Sequence, residues 1–256
     1  FLADPEDPRS KSDYYQTPNM ERLAKNGMRM SNGYAPAPFC SPTRKSILTG
    51  LTPAKHEYQK DRDNWTKAFR KQMTIPKILK KADPNYVTAH FGKWDARYDD
   101  FTPEEMGYDF SDGLTSNNTG GGKKTLHNNG VDFPFEMGNA WPKAYDDPKL
   151  IFSLTQRSND FMEEQTKSNK PFFIQISHYA VHLAITYSQK NINKYSKSEK
   201  GQKHFVPEFA AMTEDMDEGI GLILDKVSEL GIADNTYIIF LSDNGGRTSI
   251  PIGPKQ

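Results

Sequence analysis

The chain has 256 residues, with 33 basic and 33 acidic side chains, six His and one Cys. Counting its 18 Gly with the 35% hydrophobic residues gives about 42% apolar, enough over this length for one sizeable core. Zero net charge argues against a nucleic-acid binder, and a mean hydropathy of −0.79 with no apolar run near 18 residues excludes a membrane-spanning helix. A single Cys makes no internal disulfide, so that thiol needs its own explanation.

Phe1-Leu2-Ala3-Asp4 reads as the carboxyl end of a buried strand. Thr17-Pro18, followed by Met20, Leu23, Ala24 and Met28, predicts a capped amphipathic helix ending near Gly27. A second, short helix runs from Pro42 to Thr49 and closes at Gly50, and a third from Ile75 to Ala82 leads into a strand at Tyr86–Phe91. Residues 98–147 are rich in Gly, Asn, Asp and Pro and read as surface loops. A helix from Leu150 to Phe161 and a strand from Pro171 to Ser177 follow. The polar run Ser188–Lys203 reads as an exposed loop or insertion. Phe209, Met212, Met216, Ile220, Ile223 and Val227 mark a long amphipathic helix ended by Gly231. Thr236–Leu241 is a nearly continuous apolar run, expected of a strand covered on both faces. Strands alternating with helices predict an α/β fold with a mostly parallel central sheet flanked by helices, in one domain over 1–256. A start inside one strand and a stop just after another read as a fragment of a longer protein, so any export leader lies outside the chain.

Ligands of open α/β sheets bind outside the carboxyl ends of the strands. Four predicted strand ends carry polar residues there: Asp4; Gly92-Lys93-Trp94-Asp95; His178 to His182; and Ser242-Asp243-Asn244-Gly245-Gly246. Asp4, Asp243 and Asn244 are hard oxygen ligands of the kind Ca²⁺ or Mg²⁺ takes, although Asp-Asn-Gly-Gly alone also reads as an ordinary turn. Cys40 precedes Pro42 at a predicted helix N-terminus, which favours a thiolate or an anionic substrate, and Arg44 returns one turn later. A lone Cys is otherwise most often a small buried hydrophobe.

Cys40-Ser41-Pro42-Thr43-Arg44 with Leu48-Thr49-Gly50 resembles the sulfatase signature, Cys-x-Pro-x-Arg with a downstream Leu-Thr-Gly. Leu2-Ala3-Asp4 resembles the family's first metal-binding strand end, Thr17 to Met28 the helix after it, and Gly92-Lys93-Trp94 the second signature. His178 to His182 resembles the segment with an active-site His, and Thr236 to Gly246 the strand ending in an Asp-Asn metal pair. These segments follow the family order over essentially the whole chain.

The resemblance implies an alkaline-phosphatase-like α/β fold and hydrolysis of a sulfate ester, as expected of a sulfuric ester hydrolase. It implies that a formylglycine-generating enzyme oxidises Cys40 to formylglycine. One hydroxyl of the hydrated aldehyde would attack sulfur and displace the alcohol, giving a covalent sulfate ester, and loss of the second hydroxyl's proton would then expel sulfate and regenerate the aldehyde. Asp4, Asp243 and Asn244 would hold the cation, Ca²⁺ or Mg²⁺, and Arg44 would hold residue 40 and the cation cluster in place. Lys93 would contact sulfate oxygens, and His182 would contact the sulfate or protonate the leaving alcohol, with His178 a wall residue. The substrate would be a sulfated small molecule or carbohydrate, and the site periplasmic or secreted. Aromatic loop residues Tyr98, Trp141, Tyr145 and Tyr187 suit a sugar.

Two positions depart from the family. Pro5 follows Asp4 where a second Asp is usual, so that either Glu6 or Asp7 replaces the missing ligand or the following loop has diverged. Asp95 stands where a His is usual; counted with the catalytic residues, its carboxylate could accept a hydrogen bond from the formylglycine hydrate but would repel sulfate unless paired or protonated, and Arg97 is near in sequence as a partner. The family's smaller C-terminal subdomain and its late Lys also have no counterpart in the chain, since Lys255 lies too near its end. Two alternatives stay open beside the sulfatase: a formylglycine-dependent phosphate or phosphonate ester hydrolase, and a sulfatase-like anion-binding protein that has lost turnover.

Overall fold

The β-propensity of Tyr86–Phe91 is realised as β1 (Val87–Gly92), the middle strand of a sheet. The computed structural model describes residues 11–56, 69–95, 101–115, 143–182 and 185–246. In chain order the first elements besides β1 are α1 (Pro18–Lys25), α2 (Cys40–Thr49), α3 (Ile75–Ala82), β2 (Phe110–Ser111) and β3 (Lys143–Ala144). They are followed by α4 (Ile151–Lys167), β4 (Phe172–Ser177), β5 (Thr186–Tyr187), α5 (Gln189–Tyr195) and α6 (Pro207–Glu229).

The sheet order is β2-β1-β4, and both pairings are parallel, with β1 and β4 in register from Val87–Phe172 to Gly92–Ser177. Parallel neighbours need a crossover, and α4 lies between β1 and β4 in the chain. Strand side chains alternate between faces, so Ala89 and Phe91 pack with Leu154 and Phe161 of α4, joined by Ile174 and Ile176. The intervening His90 turns to the opposite face, against Trp94 and Tyr108, where the core holds Leu48 of α2, Phe69, Phe101 and Met106. This is the mostly parallel α/β arrangement expected.

Helix α6 packs along α4 and α1 through Met20, Ile151, Met216 and Ile220. Gly219 permits the close approach, because a Cβ there would stand 2.7 Å from Ile151 Cγ2. Two carboxylates of α6 reach other helices. Asp217 accepts the N–H groups of Asn19 at 2.9 Å and Met20 at 2.8 Å, and Asp215 accepts Ser188 N–H and Asn191 Nδ2, each at 2.8 Å.

Several sequence expectations change. Helix α1 is capped by Asp217 and not by Thr17, whose buried hydroxyl has no hydrogen-bond partner among the described residues. Helix α2 begins at Cys40, two residues before the predicted start, and α4 continues to Lys167. Ser188–Lys203 contains α5, because buried Asn191 and Tyr195 give a polar segment a packed side. Within 98–147, Phe110–Ser111 joins the sheet and Lys143–Ala144 pairs with β5. Thr236–Leu241 forms no ladder with any described strand, and Tyr237 and Ile239 are 99% and 82% exposed. Its apolar character reports that the segment needs covering on both faces, but pairing depends on a strand elsewhere in the chain. Among the described residues, no helix is long and apolar enough to cross a membrane.

Candidate active site

Cys40 is the first residue of α2 and is buried. Phe39, extended at φ −143° and ψ 164°, delivers the chain into the helix, and Gly50 ends it at φ 70°. The helix buries polar groups as well as Leu48: His56 Nε2 lies 3.2 Å from Ser46 Oγ and 3.3 Å from Pro42 O, pinning one side. Lys45 stacks over the rings of Phe69 and Phe101, 5.6 and 5.7 Å from their centroids.

Arg44, one turn beyond Cys40, is the hub. Its Nε and Nη2 each lie 3.0 Å from Asp243 Oδ2, and its Nη1 donates to Lys93 O at 2.7 Å. One planar guanidinium thus ties together α2, the turn at 243 and the end of β1. Lys93 and Asp95 are both buried, with Lys93 Nζ 3.5 Å from Asp95 Oδ2. Arg97 lies outside the described residues, and within them Lys93 is the cation facing Asp95.

Every N–H from Gly92 to Asp95 has an acceptor. Gly92 donates to Asp112 Oδ2, Lys93 to Ser177 O, Trp94 to Thr115 Oγ1 and Asp95 to Thr115 O, at 2.7, 2.8, 2.9 and 2.9 Å. Gly92 has φ 92°, and a Cβ there would meet Ser177 O at 2.2 Å. Asp95 holds φ 59°, a left-handed conformation uncommon for a residue with a side chain and typical of functional segments.

His182 sits past the carboxyl end of β4, the strand beside β1, with its N–H donating to Tyr179 O at 3.0 Å. Burial lowers His178 to about 4, and among the described residues both its ring nitrogens are buried without hydrogen-bond partners. His90, which the sequence reading passed over, lies under the site. Burial, reinforced by the Arg44 charge, lowers it to about 3, and its Nε2 lies 3.2 Å from Ser177 Oγ. Asp112 and Thr115 were also missed, since turn residues carry no periodicity signal, and only the third dimension shows them holding 92–95.

Two oxygens here suit a hard cation. Among the described residues Asn244 Oδ1 is buried and accepts no hydrogen bond, and both Arg44 contacts to Asp243 fall on Oδ2 and not on Oδ1. Among the described residues there is no group of three or more His, Cys, Asp and Glu placed to hold a metal. Asp4, Pro5, Glu6, Asp7 and Lys255, and the aromatics Tyr98 and Trp141, lie outside the described residues.

Arg44 thus joins the helix that begins at Cys40 to the Asp243–Asn244 turn and to the carboxyl end of β1. The model of the Sulfatase family matches residues 6–253, and the chain belongs to that family. It is 27% identical over 248 residues to N-acetylgalactosamine-6-sulfatase of Homo sapiens, covering 90% of this chain and 45% of that protein. With the ulvan-active sulfatase of Formosa agariphila it shares 26% identity over 254 residues, covering 90% and 46%. The chain therefore spans about half the length of the curated relatives it matches. The structure of Ps i-CgsB in complex with k-i-k-neocarrahexaose matches with a TM-score of 0.65 at 20% identity, over 89% of this chain and 52% of that one. The fold is the alkaline-phosphatase-like α/β fold.

Proposed function

We propose that the protein hydrolyses a sulfate ester on a carbohydrate, using residue 40, oxidised to formylglycine, as nucleophile. The observation that carries this reading is the Arg44 hub, which joins the helix bearing Cys40 to Asp243 and to the backbone of Lys93. The hydrated aldehyde supplies a nucleophilic oxygen, and a divalent cation, Ca²⁺ or Mg²⁺ held by Asp243, Asn244 and Asp4, supplies charge neutralisation. Arg44 orients residue 40 and fixes Asp243 for the cation. Lys93 binds sulfate oxygens. Asp95 holds the Lys93 ammonium within a buried neutral pair, so its carboxylate is not left to repel the anion. His182 donates a proton to the leaving alcohol. The names of the relatives, which act on N-acetylgalactosamine-6-sulfate and ulvan by their designations, support a sulfated sugar. Export to the periplasm or beyond, and maturation by a formylglycine-generating enzyme, belong to the same reading.

The test is the mass of the tryptic peptide Met30–Arg44 from the full-length protein made in its native host. A thiol-to-aldehyde shift at Cys40 is the expected result. An unmodified thiol in folded protein would overturn the mechanism in favour of an anion-binding role. Paired sulfate and phosphate esters of one alcohol then separate sulfatase from phosphatase, with faster sulfate turnover expected.

A further inference from the structure

Lys93 leaves β1 through Gly92, whose backbone takes a conformation that only glycine holds there. With no side chain at 92 to restrict it, the direction of the chain is set by the hydrogen bonds on either side. The bond on the amino side goes to Asp112, whose side chain is fully buried beyond β2. Its Oδ2 accepts Gly92 N–H at 2.7 Å and Arg157 Nη2 at 2.9 Å. Asp112 is itself tethered, since its N–H donates to His90 O at 3.2 Å. Arg157 rises from α4, with its guanidinium carbon 5.9 Å from the centre of the Phe91 ring. Helix α4, the end of β1 and the turn after β2 therefore converge on one carboxylate oxygen. Burial raises the Asp112 pKa, and the Arg157 charge and the Gly92 hydrogen bond oppose that rise.

We propose that Asp112 and Arg157 are a positioning pair for Lys93: the carboxylate, held by the guanidinium, fixes Gly92 N–H and so aims the lysine at the sulfate. Neither residue touches substrate. The proposal rests on the reading of Lys93 as a sulfate ligand. A charge-assisted hydrogen bond from guanidinium to carboxylate suits the task because it is stronger than a neutral one, and small displacements of a group that orients substrate cost large factors in rate.

The experiment uses the full-length protein and a nitrophenyl sulfate. Asp112→Ala is expected to lose about 10- to 100-fold in kcat/KM. Asp112→Asn and Arg157→Met lose smaller, matching factors, and Arg157→Lys stays within about threefold of the parent. The deciding readout is a double-mutant cycle. In a Lys93→Met background the Asp112 and Arg157 substitutions should change kcat/KM by less than about threefold, because the residue they aim is gone. Equal losses in both backgrounds would mean a merely structural role and overturn the proposal. Amide exchange gives a reading that needs no turnover. In Asp112→Ala, or in Arg157→Met should that variant not fold, exchange across 92–95 should speed at least tenfold while α6 is unchanged. Unchanged exchange, or uniform acceleration across β1 and α4, overturns the proposal. A parent protein that hydrolyses no sulfate ester overturns the functional reading instead, and exchange still decides the positioning.

Discussion

At Arg44 the chemistry of one side chain decides how the site is assembled. Its guanidinium serves Asp243 and Lys93 O at once, in directions set by a planar fork. Lysine retains the charge but supplies a single ammonium point, which cannot span both partners. Arg44→Lys is therefore expected to lower kcat by about 10²- to 10³-fold in steady-state assays of the full-length protein. Activity within threefold of the parent would show that the hub is dispensable. For Arg44 the one-turn spacing from Cys40 was legible in the sequence. Its contact with the Lys93 carbonyl was not, because backbone acceptors carry no sequence signal.

Among the elements, helix α1 shows how a local rule yields to a distant one. Thr17 before Pro18 matches a helix N-cap, yet the orphan N–H groups of Asn19 and Met20 go to Asp217, about two hundred positions along the chain. A buried carboxylate accepting two N–H groups outcompetes a hydroxyl that takes no part in the cap. Asp217→Ala should destabilise the fold by about 1–3 kcal/mol in urea unfolding, whereas Thr17→Ala should cost less than about 0.5 kcal/mol. Burial raises the Asp217 pKa above 3.8, against the hydrogen bonds from Asn19 and Met20. In the window just above pH 3.8 the folded state therefore binds the extra proton, and this contribution is lost as pH rises through the raised value. The stability of the parent relative to Asp217→Asn should accordingly fall across that window and then level off. A difference constant from pH 3.5 to 7 would contradict the assignment.

For the whole molecule, two buried imidazoles set a limit in acid. Burial lowers His90 to about 3 and His178 to about 4, from an ordinary value of 6.5. Between those values the unfolded chain binds more protons, so stability is complete above pH 6.5 and is lost as pH falls, by roughly 1.4 kcal/mol per pH unit for each group. Unfolding free energies measured from pH 7 to pH 4 should show this decline, and His90→Gln should flatten it. An unchanged slope in that variant would place the acid sensitivity elsewhere.

The alternation of strands and helices and the helical Cys40–Gly50 run were determined by sequence alone, because periodicity and short-range spacing express local geometry, whereas Asp243-Asn244-Gly245-Gly246 by itself reads only as a turn. The same reasoning mistook Ser188–Lys203 for a loop, since composition does not show that Asp215 waits to receive Asn191. It also read Thr236–Leu241 as a sheet strand, although ladders need partners that no single segment encodes. Only the tertiary structure decided that Arg44 links three elements, that Asp95 faces Lys93, and that Asp112 with Arg157 holds Gly92. Those contacts join residues far apart in the chain, and their energies depend on burial that appears only once the sheet, α2 and α4 have closed over them.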